Sequence, residues 1–88
     1  MAAEKKVKVR LAVAVNRAIR ERELKQTEAA ALLGTEQPKV SALANYKLSG
    51  FSIGRVMEFL TALNRDVDVN ITRACRHGRI AVHELEAA

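Results

Sequence analysis

At 88 residues, 49% hydrophobic and 28% charged, the chain has the size of one compact domain, with a core of Leu, Val, Ile and Ala because Tyr46, Phe51 and Phe59 are its only aromatics. One cysteine, Cys75, excludes an intrachain disulfide and fits a reducing cytosol; with apolar runs as short as Leu11 to Val15, no membrane-spanning helix is expected, nor a secretory signal behind Lys5, Lys6 and Lys8. The formal net charge of +5 points to a polyanionic partner, usually nucleic acid, although a generically basic protein would carry the same total.

The charge excess is local. Residues 1–25 hold eight Lys/Arg against three Glu, whereas 26–50 and 51–88 are each balanced. Within that basic segment, residues 7–22 read two ways. Val7, Val9, Leu11, Val13 and Val15 alternate as a strand would, yet Leu11, Val15, Ala18 and Ile19 share one helical face. The Ala content and the NRAIRER ending favour a helix over 5–22. Lys5, Lys6 and Lys8 fit either a DNA-hugging arm or a solvated terminus.

Residues 26–33 (QTEAAALL) form a short Ala-rich helix, and Gly34 follows its last Leu where a left-handed, helix-ending residue belongs. The next helix is predicted over 36–44. Thr35 is its candidate cap, Glu36 lies near its positive end, and Pro38 falls in the first turn, where its missing N–H costs nothing. Val40 and Leu43 are its inward anchors. After a loop from Asn45 to Gly50, a fourth helix spans 52–64, with Ser52 as N-cap and Phe51 stapled to Val56. Its apolar stripe is Ile53, Val56, Met57, Leu60 and Leu63, and Asn64 can end it.

Beyond Asn64, Val67, Val69 and Ile71 alternate with Asp68, Asn70 and Thr72, which predicts a strand over 66–73. A strand needs a partner. Residues 79–83, after the turn-like His77-Gly78, would supply it as a hairpin; pairing across a dimer axis is the alternative. The expected fold class is therefore mainly α, a single helix-turn-helix bundle of about four helices with a short C-terminal strand or hairpin. The strand and the helix-four stripe are the candidate dimer surfaces.

Two short helices joined at a glycine are the geometry of a DNA-reading helix-turn-helix, although the same pair also occurs in purely structural domains. Ala30 supplies the small residue where the helices cross, Gly34 the positive φ, and Val40 and Leu43 the anchors that turn the other face outward. The stretch QTEAAALLGTEQPKVSAL resembles the motif of the phage-repressor-like (Cro-type, XRE) regulators. From Leu24 to Ile71, with its block QPKVSAL…KLSGFS, the chain resembles a subgroup of small single-domain XRE proteins, many of them antitoxins of the HigA type. The resemblance implies that Gln26 and Thr27 sit near phosphate, and that Gln37, Lys39, Ser41 and Ala42 face the major groove. It also implies that Pro38 lies against the groove wall and that Asn45, Tyr46 and Lys47 reach the backbone. Gln pairs with adenine, Lys with guanine, and an Ala methyl touches the thymine methyl. Two residues depart from the family pattern. Lys25 stands where a capping Ser or Thr is usual, so the cap is expected to shift to Thr27, and Glu36 brings negative charge to the head of the reading helix.

The expected function is sequence-specific regulation of transcription by a cytoplasmic, nucleoid-associated homodimer on palindromic duplex DNA, with no cofactor. The alternative is an antitoxin that neutralises a small protein toxin and autoregulates its operon. RNA binding is the further rival, but three scattered aromatics make no stacking platform. Cys75, His77 and His83 are too few for a zinc site, and neither a catalytic set nor a glycine-rich phosphate loop is present, so no metal and no enzymatic activity are expected.

Overall fold

A computed structural model describes residues 3–85. It contains four helices: α1 (Ala3–Glu21), α2 (Gln26–Leu33), α3 (Gln37–Ala44) and α4 (Ile53–Ala62). In α1 the helical period prevails over the alternating one. Val7, Leu11, Val15 and Ala18 recur three or four residues apart and are buried, while Val9, from the alternating set, lies exposed. This stripe packs most extensively on α4, whose Val56, Phe59 and Leu60 face it. The helix-four stripe is thus consumed inside the domain: Val56, Leu60 and Leu63 are buried and Ile53 and Met57 half-buried. It is no longer a candidate dimer surface. Phe51 and Phe59 meet edge to face, 6.0 Å between centroids and 77° between planes.

Every helix ends in the same way. The chain closes with paired backbone hydrogen bonds around one left-handed residue: Leu24 N–H to Ile19 O with Glu23 N–H to Arg20 O, Thr35 to Ala30 with Gly34 to Ala31, Lys47 to Ala42 with Tyr46 to Leu43, and Arg65 to Leu60 with Asn64 to Thr61. This closure satisfies carbonyls that a helix end leaves bare. The left-handed residues are Glu23 (φ 53°), Gly34 (φ 67°), Tyr46 (φ 57°) and Asn64 (φ 62°). Only one of the four is a glycine.

The starts are more varied. The Ser52 hydroxyl accepts from the Arg55 N–H at 3.1 Å and caps α4. Lys25, which has no acceptor to offer, is still the residue before α2: its own N–H donates to Glu28 Oε1 at 2.8 Å, so the cap does not move to Thr27. Before α3 the extended residue is Glu36 rather than Thr35, with no side-chain cap, and Pro38 occupies the first turn.

The expected C-terminal strand or hairpin is not formed. Among the described residues there is no strand, and 66–73 and 79–83 have no regular structure. Val67 is half-buried against the core, but Val69 (72% exposed) and Ile71 (93%) project into solvent. Alternation is a sufficient signal for a strand only where a second edge accepts its hydrogen bonds, and none is offered here. The segment instead runs over the surface and touches α1 once more near its end, where Val82 packs beside Val9 and Val13 and Glu84 pairs with Arg17 at 3.5 Å. The radius of gyration, 13.8 Å, exceeds the about 12 Å of a fully compact chain of this length, as this loosely applied tail requires.

Candidate nucleic-acid interface

The arrangement of α2 and α3 follows from three local causes. Ala29 and Ala30 are buried and small enough for close approach of the helices, Gly34 turns the chain in the left-handed region, and Val40 and Leu43 pull one face of α3 into the core. Helical geometry then puts Pro38, Ser41, Ala42 and Asn45 opposite those anchors, with Gln37 and Lys39 on the two flanks. Gln37, Pro38, Lys39 and Asn45 are exposed; Ser41 and Ala42 are half-buried.

The expected contact residues fall into two groups. The outward face of α3 brings together Gln37, Pro38, Ser41, Ala42 and Asn45. The Asn45 side-chain NH2 donates to the Ser41 carbonyl at 2.9 Å, which leaves its carbonyl oxygen outward-going. A second group lies around an open groove of about 310 Å³ between α1, α2 and α3, with Ile19, Val40 and Ala44 as its apolar wall and Gln26 and Tyr46 on its rim. Gln26, at the start of α2, and Tyr46, just past α3, therefore share one depression despite their separation in sequence. Thr27 and Lys47 are exposed beside them in the chain.

Lys39 is directed away from both groups. Its ammonium lies 5.2 Å from the Phe51 ring centroid, in cation–π range, and 3.2 Å from where a Cβ on residue 50 would stand. A side chain at position 50 would crowd it, so Gly50 leaves the room in which Lys39 folds back. In this conformation Lys39 extends along the α3–α4 loop.

Three residues that sequence reasoning did not single out belong to this region. Arg20 lines the same groove as Gln26 and Tyr46. It was one of eight basic residues in the N-terminal segment, and only the packing of the end of α1 beside α3 separates it from the rest. Arg55 reaches from α4 to the Gly34 carbonyl, and Asn16 reaches from α1 to the Leu43 carbonyl. Asn16 carried a usable signal, a lone amide on an otherwise apolar helix face; Arg55 carried none.

The motif helices are themselves electrically balanced, and the positive field comes from α1. Among the described residues, Lys8, Arg17, Arg55 and Arg65 have carboxylate partners within 4 Å (Glu4, Glu84, Glu58 and Glu21); Arg20, Lys39 and Lys47 are among the other cations, which have none. Unpaired exposed cations around an outward helix face are what a phosphate backbone neutralises. Elsewhere, Cys75 is an exposed free thiol, no described helix is long and apolar enough to cross a membrane, and no described group of three or more His, Cys, Asp or Glu is placed to hold a metal.

Two helices packed at buried alanines, turned at a left-handed glycine and presenting one outward face have the geometry of a helix-turn-helix. Comparison with known proteins places it more closely. Residues 1–72 match a family described as a helix-turn-helix domain. A solved structure described as an XRE-family transcriptional regulator is 48% identical, superposes with a TM-score of 0.91, and matches over 96% of this chain and 98% of its own. No curated protein matches the chain. The chain belongs to this helix-turn-helix family and is an XRE-type, DNA-binding transcriptional regulator.

Proposed function

We propose that the protein regulates transcription by occupying a palindromic operator as a homodimer, with one α3 in each of two successive major grooves about 34 Å apart. The observation that carries this reading is the outward face of α3, on which Gln37, Pro38 and Asn45 are exposed, with Arg20 and Lys47 nearby and without carboxylate partners among the described residues. In this reading Gln37, Ser41 and Ala42 meet base edges and Pro38 rests on the groove wall. Gln26, Thr27, Asn45, Tyr46 and Lys47 hold the sugar-phosphate backbone, joined by Arg20 across the groove it shares with Gln26 and Tyr46. Lys39 swings from Phe51 toward a guanine on binding; it gives up a weak, exposed cation–π contact worth about 0.5–1 kcal/mol for a charge-assisted pair.

The second reading is an antitoxin that also regulates its own operon. It draws on the exposed apolar side chains of the C-terminal segment, Val69, Ile71, Ile80 and Leu85, which offer surface to a protein partner or to a second copy of the chain. Selection from a randomised duplex pool at physiological salt tests the first reading, with Gln37→Ala/Lys39→Ala alongside. Recovery of a palindrome by the natural chain and its loss in the double variant is the expected result. Weak, strongly salt-dependent binding with no enriched sequence would exclude it. A toxin-like small protein co-purifying at equal stoichiometry would favour the second reading.

A further inference from the structure

The turn that leads into the reading helix α3 and the last turn of α3 are each tied by a side chain that belongs to neither helix of the motif. At its head, Arg55 of α4 donates from Nη2 to the Gly34 carbonyl at 3.3 Å, at the turn that launches α3. Its guanidinium lies 4.8 Å from the Phe59 ring centroid and 3.9 Å from the Glu58 carboxylate. Arg55 is thereby held on three sides. At the tail of α3, Asn16 of α1 donates from Nδ2 to the Leu43 carbonyl at 3.2 Å. Asn16 is only 9% exposed and is the one buried polar side chain among the described residues of the core.

Neither group is a good choice for stability alone. Burial of an amide within an apolar stripe costs free energy that its hydrogen bond about offsets, so an apolar residue of the same size would serve the core as well. A guanidinium with an exposed flank gains little from its carboxylate. What both bonds have, and apolar packing lacks, is direction. Each is aimed at one backbone carbonyl, one at Gly34 in the turn before α3 and one at Leu43 in the last turn of that eight-residue helix. The apolar anchors Val40 and Leu43 let α3 roll and tilt within their sockets; two directional bonds from opposite sides, α1 and α4, remove that freedom.

We propose that Arg55 and Asn16 are positioning residues that fix the orientation of α3 and so set base discrimination rather than general DNA affinity. The proposal rests on the DNA-reading function of α3 and adds to it the source of its precision. Bidentate base contacts tolerate only small displacements, whereas phosphate contacts through long cationic side chains follow a shifted helix. Loss of either tie therefore lowers affinity for the selected site more than non-specific affinity, most cleanly for Arg55, which lies outside the groove that Asn16 lines with Arg20, Gln26 and Tyr46.

The test uses Arg55→Lys, which keeps the charge but loses the planar fork, and Asn16→Leu, which keeps the branched skeleton but loses the bond. Affinities for the selected duplex and for a scrambled duplex are measured at one salt concentration, and the orientation of α3 relative to α1 is measured by residual dipolar couplings without DNA. The expected result is at least a tenfold loss on the selected duplex and a reoriented α3 in each variant, with less than a twofold change on the scrambled duplex for Arg55→Lys and a smaller loss there than on the selected duplex for Asn16→Leu. Equal losses on both duplexes, or selected-site binding within twofold of the natural chain, would overturn the proposal. So would an unmoved α3, a readout that stands even if the natural chain selects no sequence, in which case the DNA-reading function fails separately. Should Asn16→Leu not fold, Arg55→Lys and Asn16→Ser carry the same comparison.

Discussion

The glycine that joins the two motif helices permits a prediction whose magnitude is set almost entirely by backbone. Gly34 sits at φ 67°, ψ 37°, and a Cβ built there meets no atom within 4 Å. Gly34→Ala therefore adds no clash, only the cost of holding an L-residue in the left-handed region, about 1–2 kcal/mol. Against this, alanine restricts the unfolded chain and returns about 0.4–1 kcal/mol. The net expectation is a loss of about 1 kcal/mol, which for a domain of this size lowers Tm by about 4–8 °C. Glu23 supplies the mirror experiment. It occupies the same closure at φ 53° and is exposed, so Glu23→Gly removes the strain and pays the unfolded-state entropy, for a gain of up to about 1 kcal/mol. Urea unfolding followed by far-ultraviolet circular dichroism measures both. Opposite signs at the two positions are expected. A destabilisation beyond about 3 kcal/mol in Gly34→Ala would mean that the side chain does meet an obstacle, and no change in either variant would refute the left-handed assignment as the source of the effect.

Other consequences are simpler. Ser52→Ala removes the hydroxyl that accepts the Arg55 N–H and should cost about 1 kcal/mol in denaturant unfolding, with DNA affinity measured on the folded fraction unchanged. Leu43→Ala empties a fully buried position beneath α3 and should cost about 2–5 kcal/mol, a large share of what a domain of this size possesses, so thermal melts should show it largely unfolded at 37 °C. Removal of residues 66–88 should leave the four-helix signal intact and lower stability by only about 1–2 kcal/mol, because among the described residues of that segment only Val67 and Val82 are part-buried on the core; loss of the helical spectrum would show that the segment is integral to the fold.

The parts of the fold legible in the sequence are those with local causes. The apolar period of α1 and α4, the turn at Gly34 and the hydroxyl of Ser52 all act within one or two helical turns of the residues that signal them. The outward face of α3 was legible for the same reason, since Val40 and Leu43 fix which side is inward. Two kinds of feature were not. Glu23 and Tyr46 adopt the left-handed closure without the residue that usually announces it, because the packing of the next helix decides where the chain must turn. The alternation of Val67, Val69 and Ile71 was real but not a strand, since a strand is a property of two segments and the sequence specifies only one. At the interface, period placed Lys39 on a flank but not its return to Phe51, and nothing in spacing connects Arg55 with a carbonyl 21 residues away.

The outward face of α3, with the groove lined by Arg20, Gln26 and Tyr46, is the surface proposed to meet DNA. Amide chemical-shift mapping of the labelled protein against a selected duplex tests it most directly. The largest changes are expected at 37–47 and at 20 and 26–27, with α4 and the segment 66–85 little altered. Changes concentrated on the N-terminal half of α1 or on the C-terminal segment, with α3 unmoved, would contradict it.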